Sequence, residues 1–259
     1  MQSLREMMEL VETGIEAPGF YAHVTNLNNL KSIKAKGLVP NFGGGNYDDI
    51  QWTSLEGVYA SKNAEMLSRY LSAHGHYHYG IVVIEVRMSD ALPDEDIIDI
   101  NLSRAFEKAL HQFGVDDEEV SEQVEENDGV IDPSQPLWRA VLGDFSSTLG
   151  QPAGNVPEGF IEQLVDFWFT INYLGGGDAL MDWGHLKDTA TRLFPRMTNA
   201  HTGDQHSIRI PNVVGFEGAT RIVALIAVHG GTMPEVIYNK VPAEAEEEVD
   251  QFVYDIINA

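Results

Sequence analysis

The chain has 259 residues, 43% of them hydrophobic, enough for one large domain or a domain with a sizeable insertion. Sixteen Lys and Arg against forty Asp and Glu give a formal charge of -24. That balance excludes broad, sequence-independent binding to a phosphate backbone, although a small ligand pocket could still be locally basic. The absence of cysteine excludes disulfides, thiolate zinc sites and cysteine nucleophiles.

Residues 1–17 pattern as a short amphipathic helix with Leu4, Met7, Met8 and Val11 on one side, ending around Gly14. Glu6, Glu9, Glu12 and Glu16 lie among those apolar residues, which is not the pattern of a secretory signal. No apolar run reaches the length needed to span a bilayer, so a cytoplasmic protein without membrane contact is expected.

Phe20-Tyr-Ala-His-Val-Thr25 reads as a strand that ends near His23 and faces a compact helix. Thr25 or Asn26 can cap that helix, Leu27, Leu30 and Ile33 recur at helical spacing, three lysines fall late in it, and Gly37 with Pro40 closes it. Asn41 to Asn46 is glycine-rich, but no helix start or GK[ST] follows, so it reads as a loop rather than a phosphate cradle. Gly57-Val-Tyr-Ala-Ser61 repeats the arrangement, a strand turning into a helix with Ser61 as its expected N-cap and Ala64, Leu67 and Tyr70 or Leu71 on one face. Strand alternation puts Val58 and Ala60 on one face of that strand and Tyr59 on the other. Gly80-Ile-Val-Val-Ile-Glu-Val-Arg87 is a nearly unbroken β-branched run, the mark of a strand buried on both faces, and acidic Leu92-Pro-Asp-Glu-Asp96 follows it.

From about 99 to 200 the period becomes helical. Helices are expected over 102–113, 137–148, 158–174 and 182–194, the third rich in Phe160, Ile161, Leu164, Phe167, Trp168 and Ile171. Residues 115–132 hold nine acids and no base, which reads as a solvated face or a flexible excursion. Gly175-Gly-Gly177 before Asp178 reads as helix termination. Strand character resumes at Ser207-Ile-Arg-Ile-Pro211 and Arg221-Ile-Val-Ala-Leu-Ile-Ala-Val228.

The ordered set YxHxT, helix, GLxP, GVYxS, helix, Tyr, VVIEV, LPDED over residues 20–96, with the two late strands, resembles the ADP-ribosyltransferase superfamily. It is most similar to the branch with a His on its first strand and a Tyr on its second, as in diphtheria toxin, the poly-ADP-ribose polymerases and phage and bacterial relatives. The resemblance implies an α+β fold with a split β-sheet core, here a single domain over residues 1–259 with a helical insertion at about 99–200. It also implies NAD as substrate, mono-ADP-ribosylation of a protein acceptor or host protein, and the host cytoplasm as location if the chain is phage-encoded.

By the same resemblance His23 matches the residue that hydrogen-bonds the adenosine ribose, Tyr59 the one that stacks on nicotinamide, and Tyr70 the one that covers its other face. Thr25 stands where the family commonly has Thr or Ser, and Val24 where it usually has Gly. The implied nucleotide-binding set is His23, Val24, Thr25, Tyr59, Ser61 and Tyr70, and the implied catalytic set is His23, Tyr59 and Ser207. Ser207 occupies the head of the late strand, where the family carries its catalytic Glu. A serine cannot carry the negative charge that stabilises an oxocarbenium ion, which leaves Asp204 or Glu217 on neighbouring loops to supply it.

That departure keeps two alternatives open, an inert NAD-binding or protein-interaction module of the same fold, and an RNA 2'-phosphotransferase-like enzyme using Arg209 and Arg221. His74-Gly-His-Tyr-His78 places alternate histidines on one side of an extended segment, a pattern that could hold a metal, yet reads better as a polar loop, and no metal is assigned. There is no GxSxG, and the spacing of Asp178 and Asp182 or of Asp94 to Asp96 does not define a glycosidase pair.

Overall fold

A computed structural model describes residues 19–40, 55–73, 78–126, 132, 134–149, 156–176, 179–194, 207–230 and 233–259. The expected N-terminal helix, the glycine-rich loop at 41–46, His74, His76, Asp178, Asp204 and His206 lie outside the described residues. The protein is a mixed α/β chain with one open antiparallel sheet, and it divides into two compact units, 1–42 with 56–94 and 203–259, and 43–55 with 95–202.

The first unit carries the sheet. Its strands are β1 (Gly19–Asn26), β2 (Val58–Ser61), β3 (His78–Val86), β4 (Leu92–Pro93), β5 (Ser207–Ile210), β6 (Arg221–His229) and β7 (Glu235–Asn239), in the spatial order β4-β5-β2-β1-β3-β6-β7. Every neighbouring pair is antiparallel. Ile81, Val82, Val83 and Ile84 of β3 are fully buried, so both faces of this strand are covered, as its continuous β-branched run requires. On one face Tyr21, Val58, Ala60, Val82, Ile84, Ile208 and Ile210 pack under α1 (Leu30–Lys36). On the other, Ala22, Val24, Ile81, Val83 and Val223 pack under α2 (Ala64–Ala73) and α8 (Glu246–Asn258), which follows the last strand.

Local chemistry accounts for how these helices begin and end. Before α1 a short 3-10 turn at Leu27–Asn29 is capped by Asn26, whose side chain accepts the Asn28 N–H at 2.9 Å. The helix stops at Gly37, which has a φ of +77°. For α2 the expected cap moves by two residues. Asn63, directly before the first helical residue, accepts the Met66 N–H at 2.9 Å, while Ser61 Oγ accepts the Asn63 N–H at 3.0 Å and shapes the approach turn.

Leu30 of α1 sits over Gly80 of β3, and a methyl group on Gly80 would lie 2.5 Å from Leu30 Cδ2. Gly80→Ala should therefore destabilise this unit by about 1–3 kcal/mol through overpacking. In a urea double-mutant cycle, Gly80→Ala and Leu30→Ala should couple by roughly 1 kcal/mol, because the truncated leucine vacates the space the new methyl needs. Additive losses would show that Leu30 is not what excludes the methyl.

The second unit is helical: α3 (Asp96–Phe113), α4 (Asp117–Glu126), α5 (Pro136–Leu149), α6 (Phe160–Tyr173) and α7 (Leu180–Leu193). Its core is aromatic. Phe106 lies 5.7, 5.4, 5.8 and 4.9 Å, centroid to centroid, from Trp138, Trp168, Phe169 and Tyr173, and edge or offset pairs of this kind add about 0.5–1.5 kcal/mol each beyond burial. The acidic 115–132 stretch contains the regular helix α4. Val120 and Val124, one turn apart, are buried, and the acids of its first turn, Asp117, Glu118 and Glu119, favour the positive end of the helix dipole. Outside the expected elements, β7 and α8 (Glu246–Asn258) complete the sheet unit.

Candidate functional site

β1 lies between β2 and β3 but is held to them unequally. It shares eight partner pairs with β3 and one, Ala22↔Ser61, with β2. His23 is the residue of β1 directly after that pair. Its Nδ1 lies 2.8 Å from the Tyr59 carbonyl oxygen of β2. A carbonyl only accepts, so Nδ1 carries the proton, and in the neutral ring Nε2 keeps its lone pair.

Desolvation pulls the His23 pKa below its ordinary value, and the bond to the Tyr59 carbonyl pulls the other way with less effect. His23 is half-buried, yet enough protein surrounds the ring to disfavour the imidazolium. At neutral pH His23 is thus a neutral, oriented imidazole whose remaining nitrogen is an acceptor. The group suits a hydroxyl donor.

On β2, Val58 and Ala60 are buried in the core and Tyr59 is half-buried, as alternation predicts. Tyr59 pairs with Arg209 of β5, and Ser61 pairs with Ser207, so these four side chains share one face across two strands. Ser207 is the first residue of β5, where the sequence pattern places it, and is buried. Its hydroxyl points at the Met66 sulfur of α2, 3.8 Å away. Met66 has no sequence signal for this role, since a methionine in the first turn of an amphipathic helix looks like any core residue. Arg209 is also buried, with its stem against Gly57 and Nη1 donating to the Glu56 carbonyl at 3.3 Å.

The remaining expected residues divide. Val24 is buried on the α2 face of β1 among Ile81, Val83 and Leu67, so it is a core residue first. Thr25 Oγ1 accepts from Asn29 Nδ2 at 2.9 Å and ties the end of β1 to α1. Tyr70 is half-buried against the α2–α8 core. Lys62 follows β2 and holds its ammonium 4.8 Å from the centroid of the Tyr21 ring, which gives this part of an acidic protein a local cation. Glu217 is exposed, and its neighbour Phe216 packs edge-on against Tyr238 of β7 at 4.8 Å, which keeps that loop toward the edge of the sheet away from β5.

Among the described residues no group of three or more His, Asp or Glu side chains is arranged to hold a metal ion, and no helix is long and apolar enough to cross a membrane. The fold is that of a mixed α/β protein with one open antiparallel sheet, in which His23 lies on the face of Tyr21, Val58 and Ala60, and Tyr59, Ser61, Ser207 and Arg209 lie on the other face with Ala22. No family model, curated protein or solved structure matches the chain.

Proposed function

We propose that this is an ADP-ribosyltransferase-like protein that binds NAD, and that its activity is mono-ADP-ribosylation of a protein partner. The observation that carries the reading is the His23 imidazole of β1, oriented by the Tyr59 carbonyl of the neighbouring strand β2. A His on the first strand and a Tyr on the second are what the family resemblance implies. His23, Tyr59 and Ser207 stand on three adjacent strands, β1, β2 and β5.

In this reading the neutral Nε2 of His23 accepts a ribose hydroxyl, and Lys62, over Tyr21 on the same face of the sheet, supplies a cation near the phosphates; Tyr59 and Tyr70 lie on the opposite face, so His23 and Lys62 carry the contact on this side. Transfer breaks the bond between ribose C1 and the nicotinamide nitrogen, and positive charge grows on the sugar as that bond lengthens. Positioning and nearby negative charge lower such a barrier. The protein contributes the positioning through β1 and β2.

A second reading, an NAD-binding module without turnover, is favoured by Ser207. Its buried hydroxyl faces a thioether and supplies no charge to the sugar. The RNA 2'-phosphotransferase reading loses ground on topology. Arg209 on β5 and Arg221 on β6 are four strand spacings apart, about 19 Å, and Arg221 pairs with Glu85 at 2.8 Å.

Incubating the protein with labelled NAD and lysate separates the two leading readings. Label on a protein, or free nicotinamide, supports transfer, whereas saturable binding with neither product supports the inert module. Absence of NAD binding by calorimetry removes both. His23→Ala should weaken NAD binding by up to about tenfold, the loss of one hydrogen bond. The same change should lower stability by about 1 kcal/mol, because the Tyr59 carbonyl loses its donor. Unaltered NAD affinity in that variant would detach His23 from the nucleotide.

A further inference from the structure

We propose that His78 and His229 form a two-histidine site for a divalent transition-metal ion of the Zn(II), Ni(II) or Cu(II) class. The two residues are direct cross-strand partners at one end of the β3–β6 ladder, and their ring centroids are 5.8 Å apart with the planes at 57°. Direct partners project to the same face with Cβ atoms about 4.5–5.5 Å apart. With metal–nitrogen bonds of about 2.0–2.1 Å and a tetrahedral angle, two ligating imidazoles have centroids roughly 5.2 Å apart. The observed separation exceeds that by about 0.6 Å, which side-chain rotation closes without moving the backbone.

The strands fix the geometry before an ion arrives. β3 and β6 are paired in continuous register from His78↔His229 to Val83↔Ala224, with one bulge beyond, and are buried from Ile81 to Ile84 and from Ile222 to Val228. Little ordering is therefore left to oppose binding. His78 is exposed and His229 half-buried, so solvent reaches the pair and water can fill the remaining coordination positions. Two nitrogen donors select zinc, nickel or copper over magnesium or calcium. A formal charge of -24 raises the local cation concentration.

This site does not depend on the NAD reading. His23 pairs with Val82, four residues along β3 from His78, or about 13 Å of strand.

Calorimetric titration of the full chain with zinc or nickel chloride at neutral pH should show a saturable site, and metal should raise the thermal midpoint of unfolding. His78→Asn and His229→Asn should each weaken binding at least about tenfold, with far-UV circular dichroism confirming that each variant folds. His78→Asn is the safer variant because that side chain is exposed. No binding by the wild type, a loss in only one of the two variants, or an affinity kept within about twofold in the double variant would each overturn the two-histidine site.

Discussion

Replacing Gly37 by alanine should cost the sheet unit about 3–5 kcal/mol, the largest loss expected from adding a single methyl group. Gly37 closes α1 with φ of 77° and ψ of -174°, a backbone region essentially restricted to glycine, where strain alone is worth about 1–3 kcal/mol. Space is short as well. A Cβ there would fall on the Val214 carbonyl oxygen, with the Val214 carbonyl carbon at 3.1 Å and Gly215 Cα at 3.2 Å. These are backbone atoms, so no rotamer change relieves the overlap.

The crowded carbonyl also belongs to a reciprocal bridge, in which Leu38 N–H donates to Val214 O and Val214 N–H to Leu38 O, both at 2.9 Å. Moving Val214 aside sacrifices both bonds, each worth about 0.5–1.5 kcal/mol, and disturbs Leu38 and Val214, which are buried in the same core. Gly37→Asn makes a sharp control. Asparagine tolerates the left-handed helical region, but that region has ψ near +45°, so it should rescue little here. Hydrogen exchange of the β3 amides checks the result, since those strands lie in the unit that loses the bridge. A loss under about 1 kcal/mol, or full rescue by Asn, would mean that the chain exit of α1 relaxes freely.

How much of this was legible in the sequence depends on how local each cause is. The passage from β1 into α1 was readable because a β-branched and aromatic strand, a capping Asn26 and the terminator Gly37 all act within a few residues. The double burial of β3 was readable for the same reason, since a run of Ile and Val without alternation leaves no polar face. β4 was not, because Leu92–Pro93 becomes a strand only by pairing with Arg209 and Ile208, more than a hundred residues away. α3 begins at Asp96, earlier than apolar spacing from Leu102 implies, because Ile97 and Ile98 bury their side chains while Asp96 and Asp99 suit the helix start.

The candidate site divides along the same line. His23, Tyr59 and Ser207 were named by the family resemblance, but the contact between the His23 ring and the Tyr59 carbonyl depends on the pairing of β1 with β2, and no local pattern encodes that. The same limit applies to His78. Its alternate histidines were visible in sequence, while its cross-strand neighbour His229 comes from strand pairing across 151 positions.

The helical unit makes the converse case, a buried cation that periodicity alone would treat as a surface residue. Lys187 of α7 is 1% exposed, and its ammonium lies 2.7 Å from Asp96 at the start of α3 and 5.5 Å from the Trp183 ring centroid. Asp99 and Glu95 add their charges to the same point. Asp99 accepts the Trp168 indole N–H at 2.8 Å, and buried Glu95 accepts the Leu55 N–H at 3.0 Å. Burial pulls the lysine pKa down, and Asp96, Asp99 and Glu95 together pull it up by more, so the net direction is upward. A raised lysine stabilises the fold fully below its unfolded value, and that contribution is lost as pH rises through the folded value. The wild type should therefore weaken only in strong base on this account.

Lys187→Met keeps the stem's volume and removes the charge, and it should lower stability by about 3 kcal/mol, the low end for breaking a buried pair because Asp96 is 53% exposed and screened by solvent. The loss should carry a pH signature. The variant has no ammonium to lose, so its stability gap to the wild type should hold across neutral pH and close only as pH rises in strong base through the raised folded value of Lys187. The described tryptophans, Trp138, Trp168 and Trp183, are buried in this unit, so fluorescence in urea series at several pH values reads it directly. If the variant and wild-type profiles stay parallel into strong base, Lys187 acts through packing and not through its charge.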